Sequence, residues 1–140
     1  MQSWILFSIL SAVFAALVAI FGKIGVANID STLATTIRAG IMAVLLFGVS
    51  FVLRKFELFS TITSRALVFI ILAGVAGALS WFFYFLALIT GPAPAVAALD
   101  RLSVIFVLIL AVLFLGEALT WKSGMGAALI AVGAILMVLK

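Results

Sequence analysis

Of 140 residues, 69% are hydrophobic and 9% charged, whereas soluble domains are roughly half apolar and a quarter charged, so the composition excludes a water-soluble fold. There is no cysteine and no histidine, and only four acids; disulfides, zinc sites and His- or Cys-based catalysis lack their parts, so no metal, cofactor or enzymatic activity is expected. The net charge of +4 is scattered between long apolar runs, which reads as loop anchors and not as a nucleic-acid patch.

No charge occurs from Met1 to Gly22, and the apolar run from Trp4 has the length of about 20 residues that a bilayer-crossing helix needs. A secretory signal would begin with basic residues, so this segment is expected to stay as transmembrane helix 1, about residues 4–25, ending at Gly22-Lys23-Ile24-Gly25. Asp30 or Ser31 is placed to cap helix 2, about 32–53, which contains the single charge Arg38 and stops at Arg54-Lys55. Phe56 to Arg65 is the longest polar connection. The charge-free stretch from Ala66 to Leu99 is too long for one span, and Gly91-Pro92-Ala93-Pro94 divides it into helix 3 (66–90) and helix 4 (94–116). Helix 4 carries the pair Asp100-Arg101. Thr120 is placed to cap helix 5, about 120–139. Lipid demands that backbone groups be satisfied internally, and continuous rather than alternating hydrophobicity selects helices. The expectation is an all-α integral membrane protein, residues 1–140 forming a single five-helix transmembrane domain.

Ionisable groups inside a span are costly, so each asks for a function or a partner. At 1.5 Å per residue, Arg38 and Asp100-Arg101 lie about 10 Å into their helices and Lys23 near the end of helix 1, all in one half of the bilayer. Adjacent helical residues point about 100° apart, so Asp100 cannot pair with Arg101; Arg38 is its first candidate partner and Lys23 its second. Asp100 is the only acid inside a span, which makes it the candidate proton-coupling group. The structural alternatives are an Asp100–Arg38 interhelical tie and a Lys23 that snorkels to the interface. Three cations against one anion would suit an anionic or zwitterionic substrate.

On helix 3, Gly74, Gly77, Trp81, Tyr84 and Leu88 share one stripe, with Trp81 and Tyr84 placed either to line a pathway and stack on a cation or to join an interfacial belt. Trp4 and Trp121, at span ends, read as belt anchors. Gly126 and Gly133 share a face of helix 5 that permits close helix approach, inside the subunit or against a second one.

The runs Asp100-Arg101-Leu102-Ser103-Val104, Leu115-Gly116-Glu117-Ala118-Leu119-Thr120, Gly124-Met125-Gly126 and Ile130-Ala131-Val132-Gly133 resemble the last two helices of an EamA-type domain of the drug/metabolite transporter superfamily, in its short five-helix bacterial and archaeal group. Gly22-Lys23-Ile24-Gly25 and Leu33-Ala34-Thr35-Thr36-Ile37-Arg38 resemble its first two helices. The resemblance implies one half-unit of a fold whose larger members carry two inverted five-helix units, and hence a homodimer. It further implies alternating access, with a site near the midplane where inverted units meet. Helix 5 is also similar to the last helix of small multidrug resistance proteins, but this chain lacks their helix 1 glutamate.

The function expected is a secondary transporter of a small polar metabolite or drug-like solute, multi-pass in the inner (plasma) membrane, with the lipid bilayer, the solute and a second copy as partners and no nucleic acid. Substrate and coupling residues are Asp100, Arg38, Arg101, Lys23, Trp81 and Tyr84. The alternatives are a non-transporting membrane subunit or scaffold, or a flippase for a lipid-linked substrate. Arg54, Lys55, Arg65 and Lys122 fall on one side of the membrane and Lys23 and Lys140 on the other, with Arg38 and Arg101 added if counted. So slight a bias points to insertion in both orientations and an antiparallel dimer.

Overall fold

The computed structural model describes residues 3–139, and every regular element among them is helical. In chain order these are α1 (Ser3–Gly25), α2 (Ser31–Val52), a 3-10 helix (Lys55–Thr61), α3 (Ser64–Thr90), α4 (Ala93–Asp100), α5 (Ser103–Leu110) running into a π turn (Ala111–Leu115), and α6 (Trp121–Leu136). Lys140 of the topology reading lies outside the described residues.

Local chemistry sets most of these boundaries. The Asp30 carboxylate accepts from the backbone N–H groups of Thr32 and Leu33 at 2.9 and 3.0 Å and so caps α2. Thr63 Oγ1 accepts from Ala66 N in the first turn of α3. Pro92 precedes α4 and Pro94 occupies its first turn, where a missing N–H costs nothing. Thr120 and Ser123 form a reciprocal capping box at the start of α6. Between α2 and α3 the polar connection winds into the 3-10 helix, entered through a left-handed Arg54, and Phe56 packs on Phe47 with ring centroids 4.8 Å apart.

Four segments are long and apolar enough to cross a membrane: Ser3–Gly25, Ser31–Val52, Ser64–Thr90 and Ala93–Leu115. They expose most of their large apolar side chains, Phe114 being 81% exposed, as lipid-facing helices do. The fifth apolar helix, α6, has 16 residues, about 24 Å at the helical rise against a hydrocarbon core of about 30 Å.

Expected helix 4 is present as the segment Ala93–Leu115, with its hydrogen bonding interrupted part-way. α4 ends at Asp100, and the chain tightens through i→i+3 bonds: Arg101 N to Ala98 O, Leu102 N to Leu99 O and Val104 N to Arg101 O, at 3.0–3.1 Å. No glycine or proline marks this break. At its other end the segment opens into the π turn and stops at Gly116, whose φ of +67° an L side chain rarely adopts.

The chain divides into two compact units. One joins Met1–Ile24 to Thr90–Lys140, and most of its buried residues are small, among them Ala19 and Gly22 on α1, Ala93 and Ala95 on α4, and Ala127 and Ala134 on α6. Such residues let helix backbones approach where lipid removes the hydrophobic drive between helices, and α6 packs on α4 and α5 through them. The other unit is Gly25–Ile89, comprising α2, the 3-10 helix and nearly all of α3, with Phe85 and Leu88 as its largest buried side chains.

Candidate functional site

Within the Gly25–Ile89 unit a groove of about 630 Å³ runs between α2 and α3. One wall is the α2 stripe Thr32, Thr35, Thr36, Arg38, Ala39 and Met42; the other is Gly74, Gly77, Ala78, Leu79, Trp81 and Phe82 on α3. Helical spacing explains both walls, since residues three, four and seven apart share a face. A Cβ at Gly74 or Gly77 would meet nothing within 4 Å, so the glycines leave the groove its width.

Arg38 is the charge of this groove. Its guanidinium carbon lies 3.5 Å from the centroid of the Trp81 ring and 5.4 Å from that of Phe85. Such stacking is worth about 2 kcal/mol when desolvated, and it holds a cation without neutralising it. Trp81 is itself braced, edge-on by Tyr84 at 5.6 Å and by the buried Phe85 at 6.1 Å. The two acids of this unit are Asp30, engaged in capping α2, and Glu57, in the 3-10 helix; neither lines the groove. The hydroxyls of Thr35 and Thr36 donate to the carbonyls of Ser31 and Thr32 at 2.7 and 2.8 Å, leaving oxygen lone pairs as the polar groups they can offer a ligand.

The helix 3 stripe thus separates into parts. Gly74, Gly77 and Trp81 line the groove, Tyr84 braces Trp81, and Leu88 is fully buried in the core. The threonines were the missed members. Their signal was present as Thr32, Thr35, Ala39 and Met42 at spacings of three, four and three, but threonine in a span also serves as plain helix packing.

The remaining candidates belong to the other unit. Lys23 Nζ donates to the Gly91 carbonyl at 3.0 Å. That oxygen directly follows the C-terminus of α3, where carbonyls lack helical partners, so the ammonium ties the α3–α4 turn to α1. Lys23→Met should therefore lower stability in detergent by about 1.5–3 kcal/mol, the range for hydrogen bonds to charged groups, with Lys23→Arg retaining most of it; an unchanged melting temperature in Lys23→Met would contradict the tie.

Asp100 and Arg101 are exposed and stand at the helix break, Asp100 as the last residue of α4 and Arg101 as its cap. Arg101 and Leu102 keep right-handed helical dihedrals, so the segment tightens into i→i+3 bonding here without unwinding. A separate apolar groove of about 460 Å³ between α5 and α6, lined by Ile105, Leu108, Val112 and Ala127 among others, contains none of the charged candidates. Gly126 and Gly133 lie off the Ala127/Ala134 face that α6 buries, and a Cβ at either would meet nothing within 4 Å.

Residues 2–139 match the EamA-like transporter family. The chain belongs to that family. An uncharacterized transporter in the cobO 3' region of a Sinorhizobium species is similar to this EamA-like chain, 43% identical over 136 residues that cover 97% of this chain and 96% of the relative. No solved structure matches the chain. Membership makes this a membrane transporter, and its several apolar helices make it a multi-pass one.

Proposed function

We propose that this chain is a secondary transporter of the inner membrane that moves a small polar or drug-like solute by alternating access, and that the α2–α3 groove is where the solute binds. The observation that carries the reading is Arg38, a cation inside an apolar span, stacked on Trp81 in the wall of that groove. A purely structural arginine would be expected to meet a carboxylate in its own unit; this one rests on a ring. Trp81, Tyr84 and the threonines shape the same site. Asp100, with Arg101, forms a second locus where α4 passes into α5, and its protonatable carboxylate is the group proposed to couple transport to a proton gradient. The Lys23 contact to Gly91 favours a tying role for that residue.

Five spans with a weak charge bias would insert in both orientations, so the working form is an antiparallel homodimer through the open Gly126/Gly133 face of α6. The absence of cysteine allows single cysteines at Ser64 and Lys140 to be labelled from outside intact cells without background. Each site should label in part, and Gly133→Leu should weaken the dimer on crosslinking by blocking helix approach. Labelling of Lys140→Cys alone, with Ser64→Cys protected throughout, would leave a parallel arrangement standing and overturn the antiparallel one. Transport itself is tested by screening solutes for a rise in melting temperature and measuring flux of those that bind into vesicles containing the purified chain. Binding solutes with no protein-dependent flux would contradict it.

A further inference from the structure

We infer that the α2–α3 groove selects organic anions, taking a carboxylate on the free edge of the Arg38 guanidinium and the ligand's apolar body on the wall formed by Met42, Gly77 and Phe82; this deepens the transport reading and rests on it. The argument begins with what stacking occupies. Trp81 lies against the flat face of the guanidinium, 3.5 Å from its central carbon, whereas the N–H donors of arginine radiate in the plane of that group. Face-on contact leaves that plane open, and no carboxylate lines the groove to fill it. A planar, charge-assisted donor fork with its face held by a ring is pre-organised for a two-oxygen acceptor in the same plane, which is the shape of a carboxylate.

Charge balance narrows the class. Neither acid of this unit lines the groove, so an ammonium on the ligand would find no counter-charge there and would stand beside a like charge. Cations are disfavoured outright and zwitterions gain from only one of their two ends. The hydroxyls of Thr35 and Thr36, with their protons donated to their own helix, accept hydrogen bonds and so tolerate a ligand hydroxyl without supplying a formal charge. Lipid-surrounded walls raise the strength of the ion pair by lowering the local dielectric.

Trp81 also provides the readout, because the chain has three tryptophans and the variant Trp4→Phe/Trp121→Phe leaves it alone beside the guanidinium. The full-length variant is placed in nanodiscs of phosphatidylcholine, with or without phosphatidylglycerol, and titrated at neutral pH with hexanoate, hexanamide and hexylammonium, three ligands of one length and three charges. Hexanoate should change the Trp81 emission saturably, with the other two at least roughly tenfold weaker. Arg38→Lys, which keeps the charge and loses the fork, should weaken hexanoate on the order of tenfold, and Arg38→Gln should abolish its effect. Equal binding of hexanamide, or hexanoate binding that survives Arg38→Gln, overturns the proposal. So does an Arg38-dependent change produced by phosphatidylglycerol alone that blocks hexanoate, because the occupant is then a lipid phosphate. Binding is read independently of flux: a groove that prefers hexylammonium defeats the anion class and leaves transport standing, while hexanoate bound without any flux defeats transport and leaves the anion site standing.

Discussion

Asp100→Asn is expected to reduce solute flux in proteoliposomes to the level of protein-free vesicles and to remove its dependence on an imposed pH gradient. Asparagine keeps the volume and the hydrogen-bonding reach of aspartate but takes up no proton, so it separates coupling from shape. The side chain is exposed at the end of α4, which predicts an unchanged melting temperature and an unchanged yield. Asp100 stands where the helix tightens from α to i→i+3 bonding. Wild-type flux in the asparagine variant across a range of pH would remove both proton coupling and an essential carboxylate from the account.

The helix starts were readable because their determinants are local. Asp30, Pro92 and Thr120 act on their own first turns, and the structure puts helix starts where those residues ask for them. Arg38 was visible as a costly charge, and Trp81 as an aromatic on a small-residue stripe, yet their meeting depends on how α2 lies along α3, which no spacing within either helix encodes. The stacking therefore came from the structure, and so did the role of Lys23, whose partner Gly91 is 68 residues away. The break after Asp100 was illegible for a different reason. Leu102, Val104 and Ile105 are ordinary residues for a membrane helix, and no glycine or proline announces the i→i+3 turn that tertiary context imposes.

Arg38→Gln should have an effect of similar size by another route. Removing a charge-paired group from a desolvated site costs on the order of 2–5 kcal/mol, about 30-fold to several-thousand-fold in affinity, so flux at low solute concentration should fall by that factor. Trp81→Leu keeps apolar bulk and loses the ring face, and its smaller cost of about 0.5–2 kcal/mol should disappear when Arg38 is already glutamine. Strictly additive losses in this double-mutant cycle would show that the stack plays no part in transport. Arg38→Lys should fall between wild type and glutamine, since the charge persists without the fork.

The claim that the solute occupies the α2–α3 groove is tested most directly by filling the groove while leaving every charge in place. Gly77 is suited to this, because it lines the groove, a Cβ added there meets nothing within 4 Å, and leucine is a good helix former. Flux through reconstituted Gly77→Leu protein, compared with wild type at equal density and with melting temperature as the control for folding, should drop to background while the melting temperature holds. Wild-type flux through a folded protein with leucine in the groove would contradict the account.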